Sequence, residues 1–250
     1  SYESMHGLKT SVQLQELFDK RQATQDSKQT AQEVRNVLLV GRAGIGKTTL
    51  CRKLAYTWAC GEWYPDKFDA VYVLPVRNLR RDKYNSRDLK HQGNLETAIV
   101  QECFGGQQLD EDTFRGLTRY VKEQIDYRPN KVLIVLDGLD ERYGANEHIL
   151  AYAKEGVKTH KLWVSRPYGA EEERNMLAQA ENKPHSLLVE NIGFNNEQVE
   201  QYVQRYFADK DPAQGQRLLR FLKANPAVYG IAHIPINLQL LCKVWGQDKG

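Results

Sequence analysis

Residues 41–48, Gly-Arg-Ala-Gly-Ile-Gly-Lys-Thr, carry the clearest chemistry in the chain. Two glycines with four residues between them, the second followed directly by Lys and Thr, suit a loop that wraps a phosphate group. Glycines let the backbone turn tightly and aim successive N–H groups at phosphate oxygens. A helix opening at the same point adds its positive end. The expected phosphate-binding residues are Gly41, Arg42, Ala43, Gly44, Ile45, Gly46, Lys47, Thr48 and Thr49. Lys47 would reach the β- and γ-phosphates, and the Thr48 hydroxyl would ligate Mg²⁺. A second chemical feature is Asp137, which ends the apolar run Val132–Leu136. A carboxylate at the C-terminal end of a buried parallel strand lies on the ligand side of the sheet, so Asp137 is the expected Walker B acid on Mg²⁺. Arg166 leaves another apolar segment, Lys161–Ser165, just before Pro167. It would either sense a γ-phosphate or be a surface arginine before a rigid turn.

These residues require a sheet to hold them. Asn36–Val40 reads as a short buried strand and Leu50, Leu54, Thr57 and Trp58 as the face of the helix after the loop. Ala70–Val76, Val132–Leu136, Lys161–Ser165 and Ser186–Glu190 are further strand candidates. Leu95–Cys103 and Phe114–Tyr127 have helical spacing between them. Alternation of this kind predicts an α/β fold with a parallel five-stranded sheet and right-handed crossovers. From Gly193 onward no strand pattern returns. Phe194, Val199, Tyr202, Val203, Tyr206 and Phe207 form a helical stripe with Asn195 or Asn196 as its cap. A second helix around Leu218–Leu222 stops at Asn225-Pro226. A third runs from about Ile236 to Trp245 behind Pro235. The expected division is a lead-in helix (within residues 9–24) and linker over 1–30, a nucleotide-binding domain over 31–190 and a small all-helical domain over 191–250.

Composition sets limits. Thirty-five basic and 32 acidic residues leave a net charge of +3, too small to imply a nucleic-acid or membrane partner. Arg77–Lys90 is locally basic and reads as a solvated loop or as a contact surface for a neighbouring subunit or an anionic partner. Cys51, Cys60, Cys103 and Cys242 show no metal-ligand spacing and read as buried free thiols in a reducing compartment. No signal peptide or membrane-spanning run is evident. The opening at Ser1 and the stop after an apolar helix suggest a segment of a longer protein.

Second motifs separate the kinds of phosphate-loop protein. Asn182-Lys183-Pro184-His185 approaches a guanine-reading Asn-Lys-x-Asp, but His185 lacks the carboxylate. Phe104-Gly105-Gly106-Gln107 matches only the tail of a transporter signature. Helicases place a second acid directly after the Walker B Asp, where this chain has Gly138; its further acids are Asp140 and Glu141.

That last pattern resembles the NACHT family of STAND NTPases. GRAGIGKTTL, LIVLDGLDE, WVSRP, the Gly193–Phe207 segment and His233–Cys242 match the family's motifs in order, from about Val34 to Trp245. The texture is similar to animal NOD-like receptors. The resemblance implies an ATP/ADP- and Mg²⁺-dependent switch with slow hydrolysis. It implies that Asp140, with Glu141 second, orients or deprotonates the attacking water, that Arg166 senses the γ-phosphate, and that Pro235 packs on adenine. It also implies a cytoplasmic protein, homo-oligomerisation on activation, and effector and sensor domains outside this segment. The family's winged-helix domain would begin after Gly250. Two rivals remain open at this level: a nucleotide-clamped scaffold that does not turn over, and a nucleic-acid-dependent ATPase using Arg77–Lys90.

Overall fold

A computed structural model of the chain describes residues 12–21, 32–84, 94–170 and 186–247. Residues 1–11, the 22–31 linker, 85–90 of the basic stretch, the Asn182–His185 tetrapeptide and 248–250 lie outside the described residues. Contacts group the chain into two units. The sheet unit runs over Val12–Val40 and Lys47–Glu190, and the helical unit takes Gly41–Gly46 together with the chain from Asn191 onward.

The sheet unit is built on five strands, β3 (Asn36–Gly41), β4 (Ala70–Pro75), β5 (Val132–Asp137), β6 (His160–Ser165) and β7 (Ser186–Asn191), in the spatial order β4-β5-β6-β3-β7. The β4–β5, β5–β6 and β6–β3 pairs are parallel. All six residues of β5 and of β6 are buried, whereas β4, at the sheet edge, alternates buried and half-buried. A strand covered on both faces has no use for polar alternation, which is why Val132–Leu136 is continuously apolar. The period of two still shows in which core each residue joins. Ile134 and Leu136 pack with Leu74, Ile99, Phe114 and Trp163, while Leu133 and Val135 pack with Leu39, Cys51, Leu54 and Val164.

The helices of this unit are α1 (Lys47–Ala59), α2 (Arg81–Tyr84), α3 (Leu95–Cys103), α4 (Glu111–Tyr127) and α5 (Glu147–Ala151). Asn94, Asp110 and Asn146 cap α3, α4 and α5 by accepting backbone N–H bonds, the usual work of short polar side chains at helix starts. Lys161 is buried within β6 and donates to the carbonyls of Lys154 and Val157 at 3.0 and 2.8 Å. Burial pushes its ammonium down to about 8.

Three expectations need correction. Residues 12–21 contain one short 3-10 turn, Leu14–Glu16, and no α-helix; β1 (Lys20–Arg21) then pairs antiparallel with β2 (Gln32–Glu33). The cause is tertiary. Phe18 is fully buried against Phe68 at 5.4 Å and Trp63 at 6.3 Å. The Leu14 carbonyl accepts from the Trp63 indole and the Phe18 carbonyl from Lys67. The basic stretch is not an open loop over its described part, because Leu79 and Tyr84 are fully buried and a turn and α2 carry them inward. Finally, only Cys51 and Cys242 are buried; Cys60 and Cys103 are exposed.

In the helical unit, α6 (Asn196–Phe207), α7 (Pro212–Ala224), α8 (Pro226–Ala232) and α9 (Pro235–Gln247) share one core around Val203, Phe207, Leu218, Leu222, Leu238 and Cys242. Asn195 and Gln198 form a reciprocal capping box at the start of α6. Among the described residues no single helix is long and apolar enough to cross a membrane; α8 and α9 would be together, but the chain bends 118° between them.

Candidate functional site

The registers set the site. Val40 of β3 lies opposite Ser165 of β6, and Val164 lies opposite Asp137 of β5. The C-terminal ends of three neighbouring strands therefore lead into the loop, Asp137 and Arg166, on the side where open parallel sheets bind ligands.

The loop belongs to the helical unit. Gly44 and Gly46 have φ of 72° and 95°, a left-handed conformation that glycine adopts without penalty. A Cβ at Gly44 would stand 2.4 Å from Cγ2 of Ile236, and the Ile236 N–H points at the Gly44 carbonyl at 3.4 Å. At Gly41 a Cβ would meet Ile45 at 2.9 Å and the Asn191 carbonyl at 3.1 Å. The Asn191 side chain accepts from the Gly193 N–H at 3.1 Å and donates to the Ile45 carbonyl at 3.5 Å. His233, buried, has Nδ1 2.7 Å from the Phe194 carbonyl, and the Phe194 N–H donates back to the His233 carbonyl at 2.9 Å. An amide carbonyl only accepts, so Nδ1 of His233 carries the proton. Thus Asn191, Gly193 and the His233–Ile236 turn brace the loop. Pro235 is the first residue of α9 and half-buried.

The sheet unit carries a charged cluster of its own. Lys47 and Thr48 open α1, both half-buried. Burial lowers the Lys47 pKa; Asp140 acts against that most strongly, Arg166 adds to it, and Asp137 and Glu141 also support the ammonium. These five side chains therefore share one electrostatic neighbourhood. Asp137 is 8% exposed. Cys51 stands one turn beyond Lys47 and fully buried. Burial pushes its thiol well above the ordinary range, and a hydrogen bond to Asp137 together with that carboxylate's charge pushes it further.

Gly138, at φ 85°, turns the chain sharply after Asp137. Its N–H donates to the Val164 carbonyl at 2.9 Å and its carbonyl accepts from Glu141 at 2.8 Å. Asp140 is thereby brought back beside the end of β6. Its Oδ1 accepts from the Arg166 backbone N–H at 3.0 Å, and its Oδ2 pairs with Arg166 Nε at 3.0 Å. Glu141 faces Arg77 at 3.7 Å, both well exposed. Arg42, Ala43 and Thr49 are exposed.

Among the described residues no group of three or more His, Cys, Asp or Glu side chains could hold a metal by itself. Asp137 offers a carboxylate and Thr48 a hydroxyl, oxygen donor types that suit a Mg²⁺ whose remaining ligands come from phosphates and water. Cys51, Asn191, His233 and Ile236 were not singled out as site residues from the sequence. Cys51 carried a local signal, four residues after Lys47 on the same helix face. The other three brace the loop from far along the chain, and no local pattern marks them.

The NACHT domain model matches residues 35–210. The NACHT, LRR and PYD domains-containing protein 3 of Bos taurus is 26% identical, over 93% of this chain and 21% of its own length. The NACHT, LRR and PYD domains-containing protein 10 of Mus musculus is 28% identical, over 85% of this chain and 28% of its own. The nucleotide-binding oligomerization domain-containing protein 2 of Bos taurus is 26% identical, over 94% and 22%. The chain thus spans between a fifth and a third of the length of these relatives. Among solved structures, the Aeropyrum pernix ORC2 protein, described as ADPNP-ADP complexes, superposes with a TM-score of 0.41 at 11% identity, covering 87% of this chain and 63% of that one. With the domain model running over well more than half of its residues, the chain belongs to the NACHT family of P-loop NTPases.

Proposed function

We propose that this chain is the ATP/ADP-binding, slowly hydrolysing switch core of a NOD-like receptor, controlling nucleotide-dependent oligomerisation in innate immune or cell-death signalling. The observation that carries the reading is Lys47. It follows directly on a loop with two left-handed glycines, and its ammonium feels Asp137, Asp140, Glu141 and Arg166 together. Backbone amides of Gly41–Lys47 and the Lys47 ammonium would hold phosphates. Thr48 and Asp137 would hold Mg²⁺, which when bound offsets phosphate charge. Asp140, seconded by Glu141, would position and deprotonate the attacking water, Arg166 would contact the γ-phosphate, and Pro235 would pack on adenine. Residues 31–190 would act as the nucleotide-binding domain and 191–250 as the first helical domain. The setting would be cytoplasmic, with effector and sensor domains elsewhere in the full-length protein.

One observation favours a second reading, a clamp that binds nucleotide without turning it over: the water-activating candidate Asp140 is already engaged by Arg166. Equilibrium binding and single-turnover hydrolysis separate the two. Asp137→Ala should weaken Mg²⁺-dependent binding. Asp140→Ala should keep ATP bound and slow cleavage by roughly 10²-fold or more, the range for a lost general base. Bound ATP that stays intact on the unaltered protein supports the clamp. An Asp140→Ala variant that loses binding yet cleaves bound ATP normally contradicts the assigned roles.

A further inference from the structure

We propose that Asp140 is a built-in competitor for Arg166, and that their ion pair sets the preference between nucleoside diphosphate and triphosphate. The inference rests on the phosphate-site reading above and adds to it a determinant of specificity.

Asp140 holds Arg166 at two points, and the two are not alike. Oδ1 accepts from the backbone N–H of Arg166, while Oδ2 meets the guanidinium Nε, each at 3.0 Å. The backbone contact is fixed by β6; the guanidinium contact is made by a flexible side chain. Exposure divides the same way: the Asp140 side chain is 13% exposed and that of Arg166 54%. The acid is therefore anchored and the arginine is free to swing. Both reach the Lys47 ammonium with opposite sign, Asp140 supporting its charge and Arg166 opposing it. Arg166 directly follows Ser165, which pairs with Val40 near the end of the strand that leads to Lys47, so its guanidinium leaves the sheet on the side where Lys47 would hold a terminal phosphate.

A γ-phosphate presents more negative charge and more acceptor oxygens than one carboxylate, and Arg pairs with phosphate in a charge-assisted, often bidentate fashion. A triphosphate would thus draw Arg166 from Oδ2 of Asp140. A diphosphate offers nothing at that position, and the ion pair persists. Asp140 keeps its backbone anchor in either case, so the exchange releases Oδ2 without displacing the acid. The cost of parting the pair falls on triphosphate binding alone.

The test uses calorimetric affinities for ADP and for a non-hydrolysable ATP analogue, with Mg²⁺, on the whole chain. Asp140→Asn keeps an acceptor for the Arg166 N–H and removes the competing charge. It should tighten analogue binding by roughly threefold to tenfold, the scale of one partly exposed charge pair, and leave ADP within about twofold. Arg166→Gln should weaken the analogue by roughly tenfold and spare ADP, with Arg166→Lys, which keeps the charge, falling between. In the Arg166→Gln background, Asp140→Asn should no longer alter the ratio. Equal shifts for both nucleotides, or a ratio change that persists without Arg166, would overturn the proposal while leaving the phosphate site intact. Failure of the unaltered protein to bind either nucleotide would overturn the phosphate-site reading and this inference with it.

Discussion

Gly138 separates the two acids of the site by conformation. Three residues along an extended strand would put Asp140 about 10 Å from Asp137; the left-handed turn at φ 85° brings it back to the end of β6 instead. An L-residue pays roughly 1–2 kcal/mol in that conformation. A Cβ there would also approach the Glu141 carboxyl at 3.3 Å, and that exposed side chain has room to move. Gly138→Ala should therefore lower stability by about 1 kcal/mol in urea unfolding and slow single-turnover cleavage, without abolishing ADP binding. An unchanged unfolding midpoint together with unchanged cleavage would show that the turn is not needed. At this scale the sequence was most readable where chemistry is local. Lys47 and Asp137 could be proposed because each sits at a fixed step from its own loop or strand. The brace on Ile45 could not, because Asn191 is 146 residues away.

Among the elements, the five strands were legible because a buried parallel strand leaves a continuous apolar run, as in Val132–Leu136. The long helices were legible from spacing, and α3 was placed at its observed bounds, Leu95–Cys103. What failed was local patterning overridden by distant partners. Leu14, Leu17 and Phe18 have helical spacing, yet Leu17 and Phe18 are buried in the sheet-unit core and the carbonyls of Leu14 and Phe18 are taken by Trp63 and Lys67. A propensity worth a few tenths of a kcal/mol per residue does not resist burial of an aromatic side chain. The short helices α2, α5 and α8, of four, five and seven residues, are too brief to show a periodic pattern.

At the scale of the whole molecule, the sheet unit carries an acid-sensitive point away from the proposed phosphate site. His160 is fully buried, and neither ring nitrogen has a hydrogen-bond partner among the described residues. Burial lowers its pKa to about 4, against a partial counterpull from Glu33, whose carboxylate lies 3.5 Å from Nε2; Lys67 and Arg35 add to the lowering. Burial would raise the Glu33 pKa, but the Lys67 hydrogen bond and the charges of Lys67, His160 and Arg35 bring it below its ordinary value. Between pH 6.5 and about 4 the unfolded chain binds a proton at His160 that the folded chain does not. Stability therefore falls as pH drops through that window, and protonation of Glu33 removes more below it. The His160 contribution amounts to about 2 kcal/mol at pH 5. Urea midpoints at pH 7 and pH 5 should converge for His160→Phe and diverge for the unaltered protein; equal slopes would refute this. Titration of Mg-ADP and Mg-ATP into the chain by calorimetry, alongside Lys47→Ala, should show saturable binding that the variant abolishes or greatly weakens, because the fixed charge on the β- and γ-phosphates is gone. Equal affinity in the two proteins would contradict the assignment of residues 41–48 as a nucleotide site.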